Sequence, residues 1–161
     1  MESLKIYCLR RHNKSKKYEL PLKVRDSSKF VKTFIESDIY LFSGITGDFS
    51  QMHFNEEFMK TTQYGTRIVQ GVLTFALSCT ASTNLQIQMN SPIPSASYGY
   101  DHLRFVKPVF FGDTITCTET AARLDPENMK VYLDVVVTNQ RDEVVLVATH
   151  ILKFLPPADE D

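Results

Sequence analysis

Gly44-Ile45-Thr46-Gly47-Asp48-Phe49-Ser50-Gln51-Met52-His53-Phe54-Asn55, followed by Arg67-Ile68-Val69-Gln70-Gly71-Val72-Leu73, is the stretch around which the chain is organised. It holds an acid and an imidazole, Asp48 and His53, five residues apart. A step of five turns a side chain well round a helix axis, and an odd step sends it to the opposite face of a strand. The two side chains therefore converge only in a curved loop, and Gly44 and Gly47 supply the backbone freedom for one. Gly71 follows at the mouth of an apolar helix.

Downstream of the loop, Asn55-Glu56-Glu57 predicts the capped start of a short helix, with acids where the helix dipole favours them. Tyr64-Gly65-Thr66 reads as a turn. The longest helix is expected over 68–85, with Val72, Leu73, Ala76, Leu77, Thr80 and Ala81 forming its apolar stripe. Ser91-Pro92-Ile93-Pro94 ends it. Four extended runs follow, at 98–106, 113–124, 130–138 and 144–155. They are separated by Lys107-Pro108, Asp125-Pro126 and Asn139-Gln140, so an antiparallel meander is expected. A sheet of this kind needs its edges covered, and pairing with a second copy is one way to do so.

Upstream, 4–9 and 18–24 read as short strands around a solvated basic turn (Arg10, Arg11, Lys14, Lys16, Lys17), and the pair is compatible with a hairpin; a transit peptide is the alternative reading of the basic run. Asp26-Ser27-Ser28-Lys29 reads as a helix start, and the piece that follows, with Phe30, Val31, Phe34 and Ile35, is expected to be helical or extended. A second short helix is expected over 37–45, capped by Ser37 or Asp38.

At 161 residues, 43% hydrophobic and 23% charged, the chain is expected to form one domain over 1–155, with a polar tail at 156–161. A formal net charge of −1 gives no reason to expect nucleic acid or an anionic membrane as partner. Three separated cysteines, Cys8, Cys79 and Cys117, form neither a C-x-x-C nor an even framework, which points to a reducing, cytoplasmic compartment. No apolar run is long enough to span a bilayer, and the start lacks the pattern of a secretion signal.

Residues 41–155 resemble the MaoC-like hydratases of the hotdog fold, especially R-specific enoyl-CoA hydratases. The family pattern G-D-x-N-P-x-H-x-D stands here as Gly47-Asp48-Phe49-Ser50-Gln51-Met52-His53-Phe54-Asn55. The pattern I-V-H-G-M-L stands as Ile68-Val69-Gln70-Gly71-Val72-Leu73. The pattern F-x-x-P-V-x-x-G-D stands as Phe105-Val106-Lys107-Pro108-Val109-Phe110-Phe111-Gly112-Asp113. The resemblance implies an α+β hotdog, a curved antiparallel sheet wrapped around a central helix. It implies Asp48 and His53 as the catalytic pair and Gly71 as the residue whose N–H polarises a thioester carbonyl, with Ser50 and Gln70 at substrate-positioning places. It implies an acyl thioester of coenzyme A or acyl carrier protein as substrate. No metal or redox cofactor is implied. The partner would be a second copy or a homologous subunit, with the acyl tunnel near that interface. Ser50, Gln51, Asn55 and Gln70 depart from the family's asparagine, proline, aspartate and histidine.

The chemistry is coherent with those residues. Water addition to a conjugated double bond needs a base for the water, a proton for the α-carbon and a donor for the enolate oxygen. A carboxylate, an imidazole and a backbone N–H at a helix start supply them. Two alternatives stay open: a hotdog thioesterase, and a non-catalytic subunit that shapes a tunnel for an active partner. Elsewhere, His12, His102 and His150 show no metal-ligand spacing. Tyr98, Tyr100 and His102 alternate as one packing or interface face. Cys79 reads as a small buried residue. Ser78 and Ser82 lack a base partner. Arg67 and Arg104 are candidate contacts for a carrier phosphate.

Overall fold

A computed structural model describes residues 18–157. The expected strand at 4–9, the basic turn, His12, Cys8 and the end of the tail lie outside the described residues. The elements in order are β1 (Ser27–Thr33), α1 (Glu36–Thr46), α2 (Gln51–Phe54), α3 (Glu56–Met59), α4 (Gly71–Gln88), β2 (Ser95–Phe105), β3 (Thr114–Asp125), β4 (Lys130–Thr138) and β5 (Val144–Phe154). The five strands form one antiparallel sheet in the order β1-β3-β4-β5-β2.

The α+β hotdog architecture expected from the sequence is present: α4 packs on the sheet, above all on β1 and β3. The strands alternate buried and accessible side chains, as in Val131, Leu133, Val135 and Val137 on β4. Their inward faces meet α4 in two apolar clusters. One contains Phe34, Ile39, Leu77, Ile115 and Leu146, the other Leu22, Leu85, Leu133, Leu152 and Phe154.

Several local expectations are corrected. Residues 18–24 are not a strand; Leu22 is buried as an anchor, and the chain then turns through Arg25, whose φ is 78°. Asp26 starts no helix. Its carboxylate accepts from the Lys23 amide and closes that turn, and Ser27 onward pairs with β3. The helix expected at 37–45 is α1, begun one residue earlier; Asp38 caps it from inside by accepting the Ile35 amide at 3.0 Å. The long helix begins at Gly71, not Ile68, because Ile68 bridges Phe110 and the Val69 amide donates to Val109. Its buried face runs through Thr74, Leu77, Ser78, Ala81, Ser82 and Leu85 rather than Val72, Ala76 and Thr80. Hydroxyls rather than methyls thus share the buried stripe, and Cys79 lies exposed on the other side. The meander holds only for β3, β4 and β5. The run at 98–106, strand β2, does not join β3; it crosses to the far edge and pairs with β5.

Candidate functional site

The loop after α1 is shaped by one glycine rather than two. Gly44 is helical within α1. Gly47 closes the helix in the left-handed region, with φ 77° and its N–H donating to Ser43. The chain then runs through Asp48 to Ser50, whose hydroxyl caps α2 by accepting the Met52 amide at 3.4 Å. His53 therefore stands on a short helix, not in the loop itself, while Asp48 precedes that helix. The helix-plus-loop bend brings His53 Nε2 to 3.8 Å from Asp48 Oδ2. That is too long for a direct hydrogen bond, and short enough for one water or hydroxyl to touch both. The Ser50 amide donates to Asp48 Oδ1 at 3.2 Å and orients the carboxylate.

His53 is buried, and its Nδ1 lies 2.7 Å from the Ile68 carbonyl oxygen. A carbonyl only accepts, so Nδ1 donates and Nε2 is the nitrogen turned toward Asp48. Met52 accepts the Ile68 amide, so the two segments are laced in both directions.

Two cavities meet at His53, Gly71 and Val72. The larger, about 360 Å³, is walled by Ile68, Val69, Phe105, Val106, Pro108 and Val145, with Met52 and Tyr64 at its sides. The smaller, about 240 Å³, is lined by Phe42, Thr46, Asp48 and Gln70. Both are mostly apolar with a few convergent polar groups, the usual character of a small-molecule site. Gly71 is the first residue of α4, where helix geometry leaves the amide without an intrahelical partner. A Cβ at Gly71 would stand 2.9 Å from the Phe105 ring. The glycine thus lets the Phe105 ring rest on the backbone, where it walls the larger cavity; a larger residue would have to displace that ring.

Gln70 is buried. Its Nε2 donates to Ser43 Oγ at 2.8 Å, and its Oε1 has no hydrogen-bond partner among the described residues. Ser50 lines neither cavity. The departures at Gln51 and Asn55 answer each other, since Asn55 Nδ2 donates to Gln51 Oε1 while Asn55 Oδ1 caps α3. The structure thus brings Asp48, His53, Gly71 and Gln70 together and leaves Ser50 one shell away.

Arg67 is not free to meet a phosphate. It pairs with Glu36 at 2.9 Å and Glu56 at 3.3 Å, and lies over the Phe111 ring. Tyr98, Tyr100 and His102 do not share a face. One register shift lies between Ser97 and Gly99 and another between Asp101 and Arg104; Tyr98 lies outward beneath Lys130, whereas Tyr100 stacks inward on His150. His150 is fully buried, with Nδ1 at 3.1 Å from Glu119 Oε1. Sequence reasoning missed the Ile68 carbonyl, Ser43, Glu56 and Glu119. A backbone acceptor carries no sequence signal, and the other partners are distant in the chain. Among the described residues no three His, Cys, Asp or Glu side chains form a metal-ligand group.

The comparisons with known proteins agree with this fold. The model of the MaoC-like domain matches residues 10–145. The chain belongs to that MaoC-like family. It is 40% identical over 107 residues to an (R)-specific enoyl-CoA hydratase of Rhodospirillum rubrum, covering 66% of this chain and 70% of the relative. It is 35% identical over 130 residues to a 3-hydroxybutyryl-CoA dehydratase of Methylorubrum extorquens, covering 80% and 78%. Among solved structures, the (R)-hydratase from A. caviae involved in PHA biosynthesis superimposes with a TM-score of 0.73 at 26% identity, over 84% of this chain and 98% of that one. The ChsH1-ChsH2 complex from Mycobacterium tuberculosis shares the fold, at 16% identity and a TM-score of 0.69 over 83% and 97%.

Proposed function

We propose that this protein is a hydro-lyase that adds water to enoyl thioesters to give (R)-3-hydroxyacyl thioesters, and runs the reverse dehydration. The observation that carries the reading is the approach of His53 Nε2 to Asp48 Oδ2 at 3.8 Å beside Gly71, in a groove with mostly apolar walls. A water held between the two side chains attacks the β-carbon and gives up one proton to the pair. The α-carbon takes a proton back from it. Negative charge moves to the thioester oxygen, where the Gly71 amide at the start of α4 stabilises it. The step is redox-neutral, and the pair with the Gly71 amide supplies its proton transfers and its oxyanion donor, so this reading invokes neither a metal nor a redox cofactor. The relatives named for this chemistry support the substrate class.

The proposal extends to a carrier, coenzyme A or acyl carrier protein, and to pairing with a second copy or a homologous subunit. The outer edge of β2, which no strand pairs among the described residues, supports the pairing. A reducing, cytoplasmic setting fits the free thiols of Cys79 and Cys117.

The test is an absorbance assay of the purified protein with crotonyl-CoA and longer enoyl-CoA thioesters, followed by chiral analysis of the product. The expected outcome is loss of the enoyl absorbance with an R-3-hydroxy product. An S product, or hydrolysis to free acid and thiol, overturns the reading.

A further inference from the structure

His53 can present Nε2 to the groove only while Nδ1 is spent elsewhere, and what spends it is a main-chain oxygen at Ile68. A carbonyl holds a ring tautomer only as firmly as its own segment is held. Ile68 itself is tied on one side through its amide to Met52 and through the Val69 amide to Val109. The residues leading into it, Thr66 and Arg67, are gripped by one carboxylate. Glu56 Oε2 accepts three donors from them: the Thr66 hydroxyl at 3.1 Å, the Arg67 amide at 3.2 Å and Arg67 Nε at 3.3 Å. Glu56 itself opens α3, directly after the short helix that carries His53. The carboxylate therefore closes a ring through His53, Ile68, Arg67, Glu56 and back to the helix pair. Arg67 extends the ring to α1 through Glu36, which also accepts from Tyr40.

We infer that Glu56 is a positioning residue for His53: by gripping Thr66 and Arg67 it fixes the Ile68 carbonyl beneath Nδ1 and keeps Nε2 facing the groove. Three donors on one oxygen go beyond what a surface ion pair requires, and charge-assisted bonds of this type are stronger than neutral ones. The same hydrogen bonds, that of Thr66 first, hold the Glu56 carboxyl below the usual glutamate range, so the grip stays charged at neutral pH. The consequence for rate rests on the proposed hydration chemistry; the consequence for the His53 ring does not.

The experiment uses full-length protein labelled with nitrogen-15 in histidine, as the parent, as Glu56→Ala and as Glu56→Gln. Ring nitrogen shifts report the tautomer, and enoyl-CoA hydration reports kcat and KM. The expected result in Glu56→Ala is a mixture of His53 tautomers and a kcat about ten- to a hundredfold lower, with KM within about twofold, since a misplacement of a catalytic group by about 1 Å costs up to about a hundredfold. Glu56→Gln, which keeps the shape and one acceptor, falls between. If Glu56→Ala does not fold, Glu56→Gln decides. Parent-like ring shifts and parent-like kcat in the folded variants overturn the inference. An inactive parent whose variants still shift the tautomer refutes the hydration reading and upholds the brace.

Discussion

Two imidazoles in this protein each meet one carboxylate, and the surroundings give them opposite characters. His53 faces Asp48 at 3.8 Å, and the Asp48 side chain is 46% exposed. His150 faces Glu119 at 3.1 Å, and both side chains are 0% exposed. His150 has no nitrogen to spare, because Nε2 lies 2.8 Å from Ser97 Oγ and the ring stacks on Tyr100. His53 spends only Nδ1 on the protein. Proximity of an acid and a base is common to both; a free ring nitrogen and a reachable carboxylate occur only at the first. The second pair is a buried polar strut joining β3, β5 and the edge strand β2, and burial pushes the Glu119 carboxyl up despite its hydrogen bond to His150.

Removing each pair in turn separates the two most strongly, with activity and stability both read. Asp48→Asn and His53→Ala are expected to lower turnover roughly a hundred- to ten-thousand-fold. Urea denaturation of Asp48→Asn should stay within about 0.5 kcal/mol of the parent, as for surface substitutions. Parent rates in both variants would remove the distinction between the pairs.

Glu119→Ala is expected to do the reverse, costing about 3–5 kcal/mol of stability by stripping a buried partner from His150. Its pH dependence has a definite sign. Burial raises the folded-state pKa above the ordinary value of 4.5. Between those two values the folded chain keeps a proton that the unfolded chain releases. Glu119 therefore contributes most stability below about 4.5, and the contribution is lost as pH rises through the folded value. Denaturation midpoints of the parent should fall relative to those of Glu119→Gln over that window. A constant difference between the two across it would mean that Glu119 is as acidic in the fold as outside it.

How much of this contrast was legible in the sequence follows from where the partners lie. Asp48 and His53 share one short motif, so the first pair was readable, as was the α+β sheet-and-helix plan from alternating strands and one long apolar helix. Glu119 and His150 sit on separate strands, and each looks like a polar interruption in an otherwise inward-facing row. Only register brings them together. The same limit explains β2: the runs at 98–106 and 113–124 are neighbours in sequence, and nothing local says that the first crosses to the far edge. At 18–24 the alternation of Tyr18, Leu20 and Leu22 comes from residues that anchor a loop on the second apolar cluster. The buried hydroxyls of α4, Thr74, Ser78 and Ser82, hid its inner face behind a more hydrophobic outer one.

The smallest expected effect sharpens the comparison from the side of the hydroxyls that support each imidazole. The Ser97 hydroxyl touches the His150 ring directly, whereas the Ser50 hydroxyl has no bond to the His53 ring and Ser50 lines neither cavity. Ser50 does three things: its hydroxyl caps α2, its main-chain amide orients Asp48, and its carbonyl accepts the His53 amide at 3.0 Å. Asparagine caps a helix about as well as serine, and the amide is indifferent to the side chain that follows it. Ser50→Asn, which restores the family residue, is therefore expected to change stability by less than about 0.5 kcal/mol. It should leave kcat within about twofold, because the bond that aims Asp48 is retained. A tenfold rise in kcat/KM for enoyl-CoA would mean that an asparagine here reaches the substrate. Ser50 would then be a missing contact rather than an equivalent cap, and the pair at Asp48 and His53 would depend on a wider shell than its two cavities define.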